Sequence, residues 1–310
     1  MSPLDPHSPA AHHIATLWWW MLVVAGIVFL GAVAMLVVGW VRRDRPGLPF
    51  LGENERANTG LVVLFGMAIP IVILVALFVL SDLVLLPETD APAADATAMT
   101  ITVTGHQWFW QVRYEGKDAE TANEIHIPVR TPVSLQVRSD DVIHSFWVPE
   151  LNRKIDTIPG QTNAIELYAE RPGVYRGQCA EFCGLQHAHM AFRVYAEPSR
   201  KFEAWLANLR RPAREPTSAR ARQGQRYFMD DGCAACHTIS GTEAEGTVGP
   251  NLTHLAGRET LAADTIPNTP GDLFRWIQNP QAIKPGVKMP GLGLGPAKFH
   301  AIVAYLSGLK

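Results

Sequence analysis

Two long runs without a charged residue constrain this chain more than any other feature of its sequence. They cover residues 14–41 and 57–81. Each run exceeds the roughly 20 residues that an α-helix needs to cross about 30 Å of hydrocarbon. A cleaved signal peptide is the alternative for the first run, but it requires a positively charged start. Residues 1–16 contain neither Lys nor Arg, so the sequence predicts two retained membrane helices, over 17–41 and 59–86.

The loop between the spans, residues 42–58, carries four arginines: Arg42, Arg43, Arg45 and Arg56. Membrane proteins concentrate Lys and Arg in their cytoplasmic loops, so this loop is expected in the cytoplasm. The N-terminal segment 1–16 and everything after residue 86 then lie on the outer face. We therefore expect a protein of the bacterial inner (cell) membrane, with both termini and all soluble parts on the periplasmic side.

Outside the spans the chain reads as ordinary soluble protein, and its cysteines suggest metal chemistry. The 310 residues include 18% charged side chains and carry a net charge of -2, without a basic tract. This balance excludes a nucleic-acid-binding protein as a class. The four cysteines form two close pairs, Cys179 with Cys183 and Cys233 with Cys236. Close pairs with histidines nearby indicate metal or haem binding more than a disulfide framework.

A Pro/Ala-rich linker over 87–98 leads into short segments in which apolar and polar residues alternate. Turn residues separate these segments at close spacing, a pattern typical of an all-β sandwich or barrel. The pattern predicts such a domain over 98–197. Its six predicted strands are 100–104, 109–114, 124–129, 133–137, 164–168 and 190–195.

The end of this domain carries Cys179, Cys183, His187 and Met190 within a dozen residues. Thiolate, imidazole and thioether are soft ligands suited to copper or zinc, and weak thioether ligation is typical of electron-transfer copper. A mononuclear blue-copper site needs one cysteine and two histidines. Two cysteines separated by three residues allow both sulfurs to bridge two copper ions instead, each with its own imidazole. His187 supplies one imidazole, and His144 is the leading candidate for the other.

Other interpretations of these residues remain open at this point. A disulfide between the two cysteines would suit an oxidising compartment, but it leaves the nearby histidine and methionine without a role. His106 and His126 are interpreted as surface or core histidines, which are more common than ligands. His189 is expected to face away from the metal.

This region resembles the binuclear copper (CuA) motif of subunit II of haem–copper cytochrome c oxidases. The likeness includes GHQWFW at 105–110, HSFWVP at 144–149, KIDTIPG at 154–160 and the two-span hairpin, so it covers most of residues 14–197. The resemblance implies that the sulfurs of Cys179 and Cys183 bridge the two coppers. It also implies the remaining ligands, which are His144 and Met190 for one copper, and His187 and the backbone carbonyl of Glu181 for the other.

Two further roles are implied by the same resemblance. The Glu181 side chain is expected to reach a magnesium ion shared with subunit I. Trp108 resembles the surface aromatic residue through which electrons enter from cytochrome c. The alternative for Trp108 is a packing role in an aromatic cluster with Phe109 and Trp110.

The second span departs from the family pattern. Many subunits II carry a glutamate early in this span, implicated at the mouth of a proton channel of subunit I. Val62 or Val63 occupies that position here. An acid inside the membrane is the feature expected of a proton relay, so the route of proton entry is not carried over from the family.

The C-terminal part of the chain, residues 219–310, carries the motif Cys233-Ala-Ala-Cys236-His237. C-x-x-C-H is the attachment signature of c-type haem; both thiols bond to the haem and the histidine binds its iron. A zinc half-site or a redox disulfide is the alternative, but the sequence lacks a second C-x-x-C and a thioredoxin-like βαβ pattern. Met289, in a Gly/Pro-rich loop, is predicted as the sixth iron ligand, because a His/Met pair suits an electron carrier. Its rival Met229 ends a predicted helix and is interpreted as a core residue.

Helical patterns predict helices over 199–209, 219–229 and 296–309, with a polar linker at 210–218. With the haem motif, they resemble a class I cytochrome c. The resemblance implies that a first helix with Gly224 and Phe228 crosses a last helix with Tyr305. It also implies haem surroundings formed by Pro250, whose carbonyl holds the proximal histidine ring, and by Trp276, which hydrogen-bonds a propionate. Subunits II with a fused C-terminal cytochrome c domain form a subgroup, and NPQAIKPGVKMP at 279–290 is very similar to theirs.

The sequence therefore predicts a multidomain protein with a two-helix transmembrane hairpin, an all-β cupredoxin-like sandwich and an all-α class I cytochrome c domain. The sandwich is predicted over 98–197, a helix and linker over 198–218, and the cytochrome c domain over 219–310. The expected cofactors are binuclear copper (CuA), covalent haem c and a magnesium ion at the subunit I interface. An acidic copper domain and a slightly basic haem domain are expected to attract one another.

The resemblance implies the electron-input subunit of a terminal cytochrome c oxidase, an oxidoreductase and translocase. Electrons would pass from the haem c to CuA and on to the haem of subunit I, which reduces O2 to water, so the O2-reducing site is not on this chain. The expected partners are subunits I and III, the membrane, and an upstream cytochrome c or quinol-oxidising complex. The alternative is a membrane-tethered redox carrier that serves another acceptor, such as a reductase.

Overall fold

The computed structural model describes residues 2–42, 55–85 and 99–310 of the chain. The predicted linker over 87–98, and Arg43 and Arg45 of the predicted cytoplasmic loop, lie outside the described residues. The chain divides into two compact units, one formed by Met1–Ala11 with Asp90–Lys310 and the other by His12–Thr89. The first unit contains both predicted cofactor domains, and the second contains the predicted membrane hairpin.

Both apolar runs are helical. Helix α1 spans Pro9–Arg42, and the second run forms α2 (Glu55–Val63) and α3 (Ile69–Leu80), with π-helical turns at Leu64–Ala68 and Ser81–Leu85. The stretches Pro9–Val41 and Glu55–Leu83, of 33 and 29 residues, are long and apolar enough to cross a membrane. Their large apolar side chains are exposed all round. A helix that is hydrophobic on every side needs an apolar environment, so the chain is membrane-anchored.

Both helical runs begin earlier than the sequence predicts. Helix α1 starts within the expected outer-face segment 1–16, where the Ser8 hydroxyl accepts a hydrogen bond from the Ala11 N–H at 3.0 Å. Pro9 takes the first helical position, in which its missing N–H leaves no bond unmade. Helix α2 likewise includes residues 55–58 of the expected loop. Local capping, which an apolar run does not reveal, therefore sets where α1 starts.

Two five-stranded β-sheets form the first soluble domain. The strands are β1 (Met99–His106), β2 (Phe109–Tyr114), β3 (Ala119–Ala122), β4 (Glu124–Pro128), β5 (Val133–Ser139), β6 (His144–Trp147), β7 (Ile155–Thr157), β8 (Asn163–Leu167), β9 (Gly173–Cys179) and β10 (Ala191–Glu197). One sheet has the order β3-β2-β1-β5-β8 and the other the order β4-β10-β9-β6-β7. The pairs β1–β5 and β4–β10 are parallel, and the other neighbours are antiparallel.

The core of this domain is built from inward-facing residues of both sheets. Ile101, Trp110 and Leu135 of one sheet, and Ile125 and Phe192 of the other, are fully buried in a single cluster. Burial of alternate residues from both sheets is what defines a sandwich. The structure confirms the predicted all-β cupredoxin-like fold.

Helix α4 (Ser199–Leu209) has the bounds of the predicted amphipathic helix and belongs to the sandwich. Phe202 and Leu209 are buried in its core, and the Trp205 ring stacks on His126 with centroids 3.8 Å apart. Part of the segment predicted as a linker is bound to the haem domain, since the Ala213 N–H donates to the Ser240 carbonyl at 2.8 Å.

The C-terminal domain is helical. It contains α5 (Ala219–Asp230), α6 (Pro270–Gln278), α7 (Pro280–Ile283) and α8 (Pro296–Leu306), with a short hairpin of β11 (Thr260–Leu261) and β12 (Ile266–Pro267). Helices α5 and α8 cross in close contact, because a Cβ at Gly224 would lie 1.9 Å from the Ala301 carbonyl oxygen. The Phe228 and Tyr305 rings meet at this crossing, 5.9 Å between centroids. These contacts confirm the predicted cytochrome c fold, with the small hairpin as an addition.

Helix α6 was not predicted, because Pro270 and Gly271 at its start resemble a turn. Thr269 caps the helix, and its hydroxyl accepts a hydrogen bond from the Asp272 N–H at 3.1 Å. Helices α5, α6 and α8 surround a second hydrophobic core that includes Leu273 and Phe299.

Candidate metal and haem sites

The predicted copper ligands meet at one end of the sandwich. His144 begins β6, Cys179 ends β9, and Cys183, His187 and Met190 follow in the loop before β10. The antiparallel pairing of β6 with β9 brings His144 beside this loop. Residues that are 35 positions apart, His144 and Cys179, therefore become neighbours.

The donor atoms surround the two sulfurs. The Sγ atoms of Cys179 and Cys183 lie 3.8 Å apart, and both cysteines are free. His144 Nδ1 lies 3.9 Å and the Glu181 carbonyl oxygen 3.2 Å from the Cys179 sulfur, whereas His187 Nδ1 lies 3.7 Å and Met190 Sδ 3.8 Å from the Cys183 sulfur. Among the described residues, His144, Cys179 and Cys183 form a buried group that could hold a metal ion. All the donor atoms predicted for copper are therefore within one small volume.

A hydrogen bond to Asp141 sets the tautomer of His144. The Nε2 atom of His144 lies 2.8 Å from Asp141 Oδ1, and a carboxylate accepts the ring N–H. The other ring nitrogen, Nδ1, then presents its lone pair toward Cys179. A carboxylate in this position orients a metal-binding imidazole and raises its basicity.

The two thiols form a coupled pair. The hydrogen bond from Cys183 lowers the pKa of Cys179 to about 3, and the same bond raises the pKa of Cys183. One thiolate therefore forms easily and the second only when a cation compensates its charge, since metal binding releases protons. Two sulfurs, two imidazoles, a thioether and a carbonyl are a soft donor set, so these residues fit copper.

Three histidines interpreted as non-ligands have other partners. The buried His126 donates from Nδ1 to the Glu197 carboxylate at 3.1 Å, His106 stacks on Phe109, and His189 lies 2.8 Å from Gln186 Oε1. The Glu181 side chain is exposed. It belongs to the loop between β9 and β10, residues 180–190, which we call the copper loop. Its predicted contact with magnesium remains a prediction.

The residues predicted to bind haem line a cavity of about 390 Å³. Cys233, Cys236, His237 and Met289 all contribute to its wall, as do Pro250, Trp276 and apolar side chains of the second core. Met229, the rival iron ligand, is outside the lining and packs partly buried against the core. Thiols, an imidazole and a thioether around an apolar slot fit a covalently attached haem.

The His237 ring is oriented for iron binding. Its Nδ1 atom lies 2.8 Å from the Pro250 carbonyl oxygen, so it donates there and leaves Nε2 free. Burial lowers the pKa of His237, which favours the neutral imidazole that binds a metal. Gly249 leaves room for this ring, because a Cβ there would lie 2.5 Å from His237 Cε1.

The copper domain forms one wall of the haem cavity, and Trp108 belongs to that wall. Trp108 is 7% exposed, and its indole Nε1 donates to the Cys183 carbonyl at 3.0 Å. The structure therefore differs from the expectation of a surface aromatic. Trp108 belongs to the buried cluster that forms the core of the sandwich.

Sequence reasoning missed Asp141 and Arg258. Asp141 lies three residues before His144, a spacing that carries no signal by itself. Arg258 is buried, lines the haem cavity, and its Nε has no hydrogen-bond partner among the described residues. Another guanidinium nitrogen, Nη2, donates to the Asn251 carbonyl at 2.6 Å, and Nε lies 4.0 Å from the Glu124 carboxylate.

Comparisons with known proteins agree with this architecture. Residues 115–196 match the family model described as cytochrome c oxidase subunit II, periplasmic domain, and residues 221–310 match the cytochrome c model. Cytochrome c oxidase subunit 2 of Alkalihalophilus pseudofirmus is 34% identical and is matched over 100% of this chain and 91% of its own length. The Bacillus subtilis subunit 2 is 26% identical, over 100% of this chain and 92% of its own length.

A solved structure is also similar to part of this chain. The periplasmic domain of subunit II of cytochrome oxidase (CoxB) of Bradyrhizobium japonicum is 31% identical, with a TM-score of 0.37. The match covers 38% of this chain and 96% of that domain.

Fold and sites together define a membrane-anchored electron-transport protein with a cupredoxin-like domain and a cytochrome c domain. The chain belongs to the cytochrome c oxidase subunit 2 family, whose members are parts of an oxidoreductase complex.

Proposed function

We propose that this chain is the electron-input subunit of a terminal cytochrome c oxidase and delivers electrons from its own haem c to its CuA centre. From there they pass to the haem of subunit I, where O2 is reduced to water. The observation that carries the proposal is the position of Trp108. Trp108 lines the haem cavity, and its indole donates a hydrogen bond to the carbonyl of the copper-ligand candidate Cys183.

Gln107 and Trp108 connect the wall of the haem cavity to the copper loop. The Gln107 side chain donates to the same Cys183 carbonyl at 2.8 Å, so two successive residues hold the copper loop against the haem-cavity wall. Bound there, haem and copper would each take up and release single electrons. The protein's part is to fix the distance and exclude water, since a rigid and buried contact needs little reorganisation.

The proposed ligands are those that the geometry brings together. Cys179, Cys183, His144, Met190, His187 and the Glu181 carbonyl would hold the copper. Cys233 and Cys236 would attach the haem covalently, His237 and Met289 would bind its iron, and Pro250 and Trp276 would lie around it. The exposed Glu181 carboxylate is proposed to reach magnesium at the boundary with subunit I.

The N-terminal segment supports the proposed orientation. The His7 N–H donates to the Glu150 carbonyl at 2.8 Å, and the His7 carbonyl accepts from the Glu170 N–H at 2.9 Å. Residues 2–8 therefore lie against the sandwich, on the same side of the membrane. The chain between residues 2–8 and the sandwich must therefore cross the membrane an even number of times, as two spans do. The arginine-rich loop then faces the cytoplasm, and both cofactor domains face the periplasm of a bacterial inner membrane.

An exposed apolar surface beside the copper loop supports the proposed partners. Phe182 is 76% and Leu185 79% exposed, and they flank the copper ligand Cys183. Contiguous exposed apolar side chains mark protein contacts. We propose that subunit I docks here and that subunit III belongs to the same complex. An upstream cytochrome c or quinol-oxidising complex would then reduce the haem domain.

Purification of the complex by a tag on this chain tests the proposal. A large haem-bearing membrane subunit should co-purify, and the complex should consume O2 with a small-molecule reductant and no soluble cytochrome c. The Cys233→Ala/Cys236→Ala variant, which cannot attach haem, should lose most of this activity. A chain that purifies without a haem-bearing subunit and consumes no O2 would instead be a tethered carrier for another acceptor.

A further inference from the structure

A buried lysine joins the two cofactor domains. Lys284, between α7 and the Met289 loop, is 1% exposed. Its Nζ donates to three backbone carbonyls, those of Trp108 at 3.0 Å, His189 at 2.8 Å and Ala262 at 3.1 Å. The first two carbonyls belong to the copper domain and the third to the haem domain. The side chain therefore contacts both domains at the wall that separates the haem cavity from the copper loop.

The three carbonyls match an ammonium group. An ammonium has three N–H donors and no acceptor, so each donor finds one oxygen. Lysine is almost never fully buried without a partner, because its charge loses hydration. Burial lowers the pKa of Lys284 to about 7, whereas three carbonyl acceptors favour the charged form. The three N–H donors of Lys284 all find acceptors only when the two domains are in contact, because the haem domain itself supplies just one of the three oxygens.

A second contact lies beside Lys284 and also joins the domains. Ala262, Ala263 and Asp264 have successive φ values of 54, 57 and 59°, a left-handed turn that persists only when its surroundings hold it. The Asp264 carboxylate accepts hydrogen bonds from Nε of Arg176 and Nε of Arg193, each at 2.8 Å. The Ala263 carbonyl accepts from the Ala191 N–H of strand β10 at 3.2 Å.

The two arginines need this carboxylate. Arg176 and Arg193 stand directly opposite each other in the β9–β10 pair, and like charges in that position destabilise a sheet. Asp264, with a side chain only 4% exposed, lies between them and neutralises the repulsion. The copper domain thus presents a surface that the haem-domain turn completes.

We propose that Lys284 is a positioning residue that holds the haem domain on the copper domain, with the haem cavity closed against Trp108. This inference rests on the proposed transfer from haem to copper, and it adds that the transfer takes place in one fixed contact. Lys284 fixes the wall residue Trp108 through its backbone carbonyl, while the turn at 262–264 fixes the other side of the same contact.

The full-length chain with both cofactors bound, in detergent, provides the test. Lys284→Met keeps the length of the side chain and removes the charge and the three donors. Lys298→Met is the matched control, because Lys298 lies on α8 and pairs with Asp231 within the haem domain. Two quantities are measured: the rate at which a flash-reduced haem passes its electron to copper, and the hydrogen exchange of the Ala191 amide, which reports domain contact directly.

Loss of charge-assisted hydrogen bonds should open the contact part of the time. We expect Lys284→Met to slow the transfer about tenfold and to speed Ala191 exchange about tenfold, with the copper EPR spectrum and the haem absorbance unchanged. A merely structural fault in the Met289 loop would change the haem absorbance. Lys298→Met should behave as the wild type. If Lys284→Met does not bind haem, Asp264→Asn weakens the same contact from the other side and should give the same two changes.

Different results would contradict the role of Lys284 and the proposed function. Wild-type transfer and wild-type exchange in both Lys284→Met and Asp264→Asn would overturn the role of Lys284 and leave the proposed function intact. A wild-type chain in which a reduced haem never reduces copper would overturn the proposed function. The exchange measurement would then still decide whether Lys284 holds the domains together.

Discussion

Asp141 links the candidate copper site to the haem domain at the scale of single residues. One carboxylate oxygen accepts from His144, and the other accepts from the Gln107 N–H at 2.7 Å and from Lys288 Nζ at 3.2 Å. Lys288 immediately precedes the proposed iron ligand Met289. Burial raises the pKa of Asp141, but hydrogen bonds from His144 and from backbone N–H groups outweigh it and hold that pKa well below its usual range. A permanent negative charge therefore lies between the two sites.

Replacing this charge should change the copper potential. In Asp141→Asn the loss of a negative charge disfavours the more positive, oxidised copper centre, so its reduction potential should rise. The His144 ligand also loses a basic partner. Redox titration followed by the copper EPR signal measures the effect.

The neighbouring residue provides the control. Asp140, whose side chain is 55% exposed, lies 3.8 Å from His106 rather than beside a copper ligand, and solvent screens its charge. Asp140→Asn should leave the potential nearly unchanged. Equal potentials in the two variants would show that Asp141 does not act on copper.

The crossing of α5 and α8 supports the haem cavity at the scale of elements. Gly224→Ala would place a Cβ 1.9 Å from the Ala301 carbonyl oxygen, so the helices must separate. Overpacking of this kind lowers the free energy of unfolding by about 1–3 kcal/mol. The haem domain should therefore unfold at a lower denaturant concentration. Gly257→Ala is the matched control, because nothing lies within 4 Å of a Cβ there. An unchanged midpoint in Gly224→Ala would contradict the close crossing.

Elements with a strong local pattern were predictable, and those with a weak one were not. Alternation located β2 and β5 because their apolar residues face the core at every second position. It missed β7, which has three residues, and β9, whose outward positions carry Arg and whose inward ones include Gly177. Helix α6 was hidden by the turn-like residues at its start. Local sequence thus revealed the elements with a regular pattern, and tertiary packing decided the others.

The candidate sites divide in the same way. Cys179, Cys183 and His187 lie close together in sequence, and so do Cys233 and His237, so spacing alone revealed them. Lys284 instead reaches Trp108 and His189, which are 176 and 95 residues away. Its role depends on how two domains meet, and a single sequence contains no pattern for that.

At the scale of the whole molecule, the charges at the domain contact agree only in part with the expected attraction between an acidic copper domain and a slightly basic haem domain. The pair Lys288–Asp141 joins a basic haem domain to an acidic copper domain, as expected. Asp264 and Glu259 of the haem domain pair with Arg193 in the reverse sense. Charges of both signs on each side specify one orientation rather than general attraction. A fixed contact is what a short electron path between the two cofactors requires.

The membrane part limits the proposal to electron transfer. Val62 and Val63 lie in α2, and the apolar run from 57 to 81 contains no carboxylate. The family's route of proton entry is therefore not carried over to this chain.

A single-electron experiment on the full-length chain with both cofactors bound tests the central claim most directly. A flash reduces the haem, and the haem and copper absorbances are followed together. Transfer past Trp108 predicts that haem oxidation and copper reduction share one rate constant and match electron for electron, and that both slow together in Trp108→Leu. A haem that stays reduced while an external reductant fills copper directly would contradict it.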